Sequence, residues 1–303
     1  NLFGIKTAAR FQTIMVLILI TSLIFYIFSG FSYVNDYEKY GDISKIFPNG
    51  FSGFFAAAFL LRLSLIGSEF ISEFGDEMEN PGVLIPLVMG LSLLLVVILY
   101  IGIAIVATGV LPLDEIEGEN LAVTARVVFS PAVYYAFIGG GIMISLVTSL
   151  NAIFAWCTRG LYMATEDGWL PIKLAAKNRF GTPYIFLTLF FVVGISPILL
   201  DLSLSYVSIL GNAVGAIFGL FPVLALYNLA KRNPDAYENA PFKLPLWATK
   251  LFPLISVIIY GYGIFSSWNF IGGLGWSMLG GYVAVVLVYI HFRAPFVPAC
   301  RRV

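Results

Sequence analysis

Two ionisable side chains, Arg62 and Glu69, interrupt the run of apolar residues that opens the stretch LLRLSLIGSEFISEFGDEMENP, residues 60–81. They are seven positions apart, close to two helical turns, so an unbroken helix would present both on one face. Charges inside a membrane span usually face the bundle interior, where they meet ions or substrates or pair with one another. The candidate chemistry is therefore substrate binding, gating or ion coupling. The alternatives are pairing with neighbouring helices, or a polar stripe in which Glu69 joins Glu73 and Glu77.

The Gly-Ser-Glu step at 67–69 predicts a break in the helix that carries these charges. As one helix, the segment from Phe51 to Asn80 would be about 45 Å long, and Pro81 ends it. The step lies near its centre, where glycine costs about 1 kcal/mol in a helix interior. Unpaired backbone groups at membrane depth are tolerated only where they line a cavity or meet a ligand. We therefore expect a break within Leu63 to Glu69 and a binding site there.

The composition predicts a membrane protein. Of the 303 residues, 59% are hydrophobic and 11% are charged. The apolar residues fall in blocks of about twenty, long enough to cross the hydrocarbon core of a bilayer. The 17 Lys and Arg balance the 17 Asp and Glu, which indicates no nucleic-acid partner. We predict an all-α polytopic membrane protein whose partner is the lipid bilayer.

Hydropathy predicts eight transmembrane spans. They are roughly Phe11–Gly30, Phe51–Ile71, Val83–Val110, Ala132–Leu161, Pro183–Leu200, Leu204–Ala230, Leu251–Trp268 and Leu274–Phe292. The connections leave no room for a separate soluble domain, so residues 1–303 are predicted to form a single transmembrane domain.

The distribution of basic residues predicts the orientation. With the N-terminus inside, thirteen Lys and Arg fall in inside segments and three in outside segments. The positive-inside rule then places both termini of this chain in the cytoplasm. We expect the protein in the plasma membrane.

No constellation of catalytic or metal-binding residues is visible in the sequence. His291 is the only histidine, and Cys157 and Cys300 match no metal or redox spacing. The sequence therefore predicts no enzyme activity, no metal site and no cofactor. The glycine run at 139–141 is predicted to allow close helix packing.

Three ordered motifs resemble the amino acid, polyamine and organocation transporter superfamily. They are IGSEFISEFGDEMENPGVLIP at 66–86, CTRGLYMATEDGWLPIKLAAKNRFGTPY at 157–184 and KRNPDAYENAPFKLP at 231–245. The opening NLFGIKTAARFQ resembles the entry to the family's fifth helix.

The resemblance implies a partial inverted-repeat, leucine-transporter-like fold that lacks the first four helices. Residues 1–30 would be the last helix of the first repeat, 51–230 the second five-helix repeat, and 251–293 two peripheral helices. The missing N-terminal helices, or a partner subunit, would supply the other half of the binding site.

The resemblance also implies site residues. An amino acid substrate would be bound by the backbone amides and carbonyls of an unwound turn made of Leu63, Ser64, Ile66, Gly67 and Ser68. Leu63 stands where some members place an aromatic residue, which disfavours cationic substrates because leucine offers no π face.

A cation site is a further expectation from the resemblance. Thr148 and Ser149 resemble the hydroxyl pair that helps to coordinate sodium in coupled members. Leu19 stands where sodium-independent members can carry a lysine. The coupling ion is left open between Na⁺ and H⁺, and hydrogen bonding of these hydroxyls to their own helix is the alternative.

The function implied by the resemblance is secondary active transport of amino acids by alternating access, as an antiporter or a symporter. The alternative is an incomplete transporter-like subunit that acts as a scaffold, sensor or assembly partner without transport of its own. A channel is less well supported, because the sequence has no filter-like repeat.

Overall fold

A computed structural model of the chain describes residues 2, 5–35, 37–42, 47 and 50–297. Within these residues the regular elements are helices, and no strand occurs. The α-helices are α1 Ile5–Phe31, α2 Gly50–Leu61, α3 Pro81–Val110, α4 Leu113–Ile116, α5 Ala122–Val128, α6 Pro131–Phe137, α7 Ile144–Glu166, α8 Tyr184–Leu199, α9 Leu204–Arg232, α10 Pro234–Glu238 and α11 Leu246–Arg293.

Shorter 3-10 and π segments connect or extend these helices. The 3-10 segments are Glu38–Gly41, Arg62–Leu65, Ser68–Glu77, Ile172–Ala175 and Ala294–Phe296, and the π segment is Ile138–Met143. The π segment joins α6 to α7 and contains the predicted glycine run. A Cβ on Gly140 would lie 3.1 Å from the Ser22 hydroxyl of α1, so this glycine does allow close helix packing.

Six stretches of helix in the described part of the chain are long and apolar enough to cross a membrane. They are Thr7–Phe31, Pro81–Val110, Pro131–Glu166, Tyr206–Arg232, Leu246–Phe265 and Ile271–Phe296. The protein is thus an all-α polytopic integral membrane protein, as predicted.

The two other predicted spans are helical but shorter. The fifth is α8, an apolar helix of 16 residues, and the second begins as α2, which has only 12 residues. The last two predicted spans lie on α11, which is divided at Gly272 (φ 67°, ψ 171°). A positive φ suits glycine, which has no Cβ to clash with the backbone.

The chain divides into two compact units. The first comprises Asn1–Ile46 and Leu91–Val192, and the second comprises Phe47–Gly90 and Val193–Val303. The single transmembrane domain and its division into the predicted repeats stay predictions.

The first unit has an aromatic core in which α1 packs against α5 and α6. Tyr26 is fully buried; its hydroxyl hydrogen-bonds the Thr124 hydroxyl at 2.7 Å, and its ring stacks on Phe137 with the centroids 5.3 Å apart. A buried tyrosine hydroxyl needs such a partner, because an unpaired polar group is expensive to bury. Nearer the start of α1, the side-chain amide of Asn151 in α7 donates to the side-chain oxygen of Gln12 at 2.8 Å.

The second unit holds the interrupted second span. In this unit α9 packs along α11, and α2 also contacts α11. Phe59 of α2 lies against Gly263, where a Cβ would clash with the phenyl ring. These contacts bring the end of α2 close to α11.

Candidate functional site: a broken membrane helix

The second predicted span is interrupted at Ile66 and Gly67. α2 passes into the 3-10 turn Arg62–Leu65, after which Ile66 is extended (φ −70°, ψ 140°). Gly67 follows with φ 139° and ψ −34°, and the chain then resumes as the 3-10 segment Ser68–Glu77. The predicted break within Leu63 to Glu69 is therefore confirmed.

Gly67 is required by the backbone and not by packing. Its φ of 139° lies in a region that L-residues rarely adopt, whereas glycine enters it freely. A Cβ built on Gly67 would meet no other atom within 4 Å. A side chain here would thus strain the turn and project into open space beside it.

Glu69 folds back onto the break. The Gly67 N–H donates to the Glu69 carboxylate oxygen Oε2 at 2.9 Å, and the Ser72 hydroxyl donates to the Glu69 carbonyl at 2.7 Å. A carboxylate near the start of a helical segment satisfies an otherwise unpaired amide and complements the partial positive charge there. This capping role was not predicted, although an acidic residue two positions after a helix-breaking glycine was a usable signal.

Arg62 points to a different set of partners. Its guanidinium carbon lies 4.7 Å from the ring centroid of Tyr260 on α11. Glycines of α9 flank it: a Cβ on Gly215 would be 3.9 Å from Nη1, and one on Gly219 would be 3.7 Å from Nη2. Both distances are ordinary van der Waals separations, so α9 passes close beside the guanidinium, and the ring face of Tyr260 offers it a cation–π contact.

One guanidinium nitrogen of Arg62 has no hydrogen bond. Nη1 is buried and has no partner among the described residues, and the same holds for Oδ1 of Asn212 in α9. Asn212 is only 2% exposed. A buried polar atom without a partner is costly, so each one calls for an explanation such as a ligand or a change of state.

Arg62 and Glu69 lie on opposite sides of the break in the chain and have different partners. Because the helix is interrupted at Ile66 and Gly67, the single face expected for an unbroken helix does not form. Sequence reasoning missed Gly215, Gly219 and Tyr260; the four-residue spacing of the two glycines was the only local signal of a close approach.

The remaining predicted binding residues line the same turn. Ser64 is exposed, while Ile66 and Ser68 are partly buried. The side chain of Leu63 lies outside the described residues, so only its backbone in the 3-10 turn is placed.

The predicted cation pair lies in the first unit, on α7. Thr148 is buried and its hydroxyl donates to the Ser145 carbonyl at 2.9 Å, which is the local bond considered as the alternative. Ser149 is exposed. No group of three or more His, Cys, Asp or Glu that could hold a metal ion occurs in the part of the chain that was placed.

Many transporter folds form their binding sites at discontinuous transmembrane helices. The chain belongs to the amino acid permease family, which it matches over residues 1–296. The resemblance seen in the motifs is thereby confirmed. The family is one of permeases, and the absence of enzyme activity stays a prediction.

Curated relatives cover much of the chain. An uncharacterized protein of Methanocaldococcus jannaschii is 28% identical over 232 residues, 76% of this chain and 52% of the relative. The methylthioribose transporter of Bacillus subtilis is 25% identical over 294 residues, 95% of this chain and 60% of the relative. A branched-chain amino acid permease of the same organism is 28% identical over 184 residues, which are 60% of this chain and 39% of the relative. The chain spans about half the length of these relatives.

Proposed function

We propose that the natural protein is a secondary active transporter of amino acids that works by alternating access and binds its substrate at the break in the second span. The observation that carries the proposal is the interruption at Ile66 and Gly67 within an apolar span. Unwound backbone at membrane depth persists where it lines a cavity or meets a ligand. Half-helix ends of this kind bind charged substrate groups in transporters.

The contact between Gly67 and Glu69 supports an amino acid as the substrate. The Gly67 N–H already donates to a carboxylate, that of Glu69, at 2.9 Å, so the α-carboxylate of an amino acid suits the same position. In the proposed bound state, substrate displaces Glu69 and its carboxylate is held by the amides of Gly67 and Ser68. The carbonyls of Leu63, Ser64 and Ile66 accept hydrogen bonds from its ammonium group.

Arg62 is proposed as the gating residue. Its buried Nη1 lacks a partner, so the guanidinium has a donor to offer when the substrate carboxylate arrives. A charge-assisted hydrogen bond formed only in the loaded state would favour that state over the empty one. Glu69, released from Gly67 by the substrate, is the second gating or coupling residue.

The positive charge of Arg62 also favours neutral over cationic substrates. A cationic side chain bound close to the guanidinium would be repelled, and like charges in a site of low polarity discriminate strongly between substrates. The coupling ion is proposed to be Na⁺ or H⁺, with Thr148 and Ser149 as the candidate cation site.

Uptake by the purified full-length protein in proteoliposomes tests this function. We expect accumulation of a neutral amino acid that depends on an imposed Na⁺ or proton gradient, or exchange against a preloaded amino acid. Absence of both uptake and exchange for all twenty amino acids, from protein shown to be folded and inserted, would contradict the proposal.

The orientation in the plasma membrane is a separate prediction. With both termini of this chain in the cytoplasm, a cysteine placed at Glu117 should react with a membrane-impermeant maleimide in intact cells. A cysteine at Lys177 should react only after the cells are opened. Both positions are exposed, so accessibility within the protein does not limit labelling. The reverse pattern would overturn the orientation.

A further inference from the structure

Asn212 is a buried polar side chain in the apolar span Tyr206–Arg232, and the proposed transport function does not use it. It is 2% exposed, and its oxygen Oδ1 has no hydrogen-bond partner among the residues that the structure describes. A buried acceptor without a donor destabilises a protein, so each one calls for a ligand or a second conformation that supplies the donor. Asn212 therefore marks a place in the second unit where a donor is missing.

The position of Asn212 in α9 puts it on the face of that helix that meets Arg62. Asn212 precedes Gly215 by three residues and Gly219 by seven, so the three share one helix face. A Cβ on Gly215 would lie 3.9 Å from Nη1 of Arg62, and one on Gly219 would lie 3.7 Å from Nη2. The guanidinium thus extends along this face, with Nη1 at the end nearer Asn212.

The two unsatisfied atoms on this face are chemically complementary. Nη1 of Arg62 carries N–H donors, and Oδ1 of Asn212 is an acceptor. They are not bonded to each other in the structure, so a single group that satisfies both has to accept a hydrogen bond from Nη1 and donate one to Oδ1. A hydroxyl or a carboxamide does both, whereas a carboxylate cannot donate, an ammonium cannot accept and an aliphatic group does neither.

We propose that Asn212 is a specificity-determining residue that selects neutral amino acids with a hydroxyl or carboxamide side chain. The inference rests on the proposed function, in which the substrate carboxylate accepts from Nη1 of Arg62. Nη1 has two N–H groups, so the second one donates to the oxygen of the substrate side chain. The O–H or N–H of that side chain donates in turn to Oδ1 of Asn212. Serine, threonine, asparagine and glutamine meet this requirement.

The same arrangement disfavours aliphatic substrates. An aliphatic side chain packed against Asn212 would leave Oδ1 unpaired in the loaded state, and a site that hydrogen-bonds a hydroxyl discriminates strongly against an analogue without one. Both protein atoms are buried, so the substrate reaches them only when the bundle opens during alternating access. Selection is therefore made on the side chain of the substrate after its carboxylate has entered the site.

Competition uptake by the purified full-length protein in proteoliposomes tests the role of Asn212. Unlabelled threonine and valine, which have nearly the same shape, compete with a labelled amino acid that the wild type transports; asparagine and leucine form a second pair. We expect the inhibition constant of the polar member of each pair to be lower by about tenfold. Asn212→Leu should bring the two constants of each pair together. It should also keep or raise Tm, because an unpaired buried polar group is replaced by an apolar one of similar shape.

The matched control is Asn151→Leu in the first unit. The side-chain amide of Asn151 has a partner, the side-chain oxygen of Gln12 at 2.8 Å. Its removal leaves Gln12 without that bond and should lower Tm, while the ratio of the threonine and valine constants stays that of the wild type. An equal change of this ratio in Asn151→Leu would show that the ratio follows stability and not recognition by Asn212.

Other outcomes separate this inference from the function on which it rests. Equal constants within both pairs, in a wild type that transports, would overturn the role of Asn212 and leave amino acid transport standing, whereas absence of all uptake would contradict both. A preference for the polar substrates that persists in Asn212→Leu would place the side-chain contact elsewhere. A large fall in Tm of this variant without substrate would show that Asn212 serves structure. Should Asn212→Leu not fold, the wild-type ratios and Asn212→Ala decide.

Discussion

Replacement of Gly67 by leucine is expected to abolish amino acid uptake while the protein still inserts into the membrane. The φ of 139° at Gly67 is unfavourable for any residue with a Cβ, by roughly 1–2 kcal/mol. The leucine side chain would also project into the open space beside the turn, where the substrate is proposed to bind. Uptake in proteoliposomes, at matched protein density, measures the effect.

Two other glycine variants separate the causes of this loss. Gly67→Ala introduces the backbone strain but little volume, so part of the uptake should remain. Gly140→Ala places a methyl group 3.1 Å from the Ser22 hydroxyl; we expect a loss of stability of about 1–3 kcal/mol from overpacking, seen as a lower Tm, with an unchanged KM. If Gly67→Leu matched wild type in both KM and rate, this turn would not be the binding site.

Substitution of Arg62 by glutamine is expected to weaken uptake of neutral amino acids by about 10- to 100-fold. This corresponds to the loss of the proposed hydrogen bond from Nη1 to the substrate carboxylate, about 1.5–3 kcal/mol for a hydrogen bond to a charged group. The variant should also take up cationic amino acids better relative to neutral ones, because the repelling charge is gone. Competition of labelled leucine by unlabelled arginine measures this change in selectivity.

Conservative variants distinguish the charge of Arg62 from its packing. Tyr260→Phe keeps the ring face that lies 4.7 Å from the guanidinium and should transport nearly as well as wild type. Arg62→Lys keeps the charge but loses the planar fork, so it should resemble wild type in rejecting arginine while it transports more slowly. Wild-type rate and selectivity in Arg62→Gln would show that the guanidinium serves only in helix packing.

The sequence by itself determined the fold class, the approximate positions of the spans and the break at Gly67. Each of these depends on local properties: the transfer free energy of about twenty consecutive side chains, and the poor fit of a Gly-Ser-Glu step to the centre of a helix. The family could also be identified from the sequence, because its motifs are contiguous in the chain.

Local reasoning had less success with the lengths of the interrupted spans. Hydropathy predicted the second span as Phe51–Ile71, but α2 ends at Leu61 and the chain continues in 3-10 turns. Hydropathy averages over a window and therefore records that a segment is apolar, without recording which backbone hydrogen bonds it makes.

Only the tertiary structure decided the partners of the charged residues. Arg62 meets Gly215, Gly219 and Tyr260, all more than 150 positions away in the sequence, and no local pattern specifies which helices will pack together. An apolar cavity of the second unit likewise gathers residues from α3, α9 and α11. The contact of Glu69 with Gly67 is local in the sequence, but the turn at Gly67 has to form before the Glu69 carboxylate can cap the Gly67 amide. These contacts depend on how helices pack and how the backbone bends, and a linear sequence records neither directly.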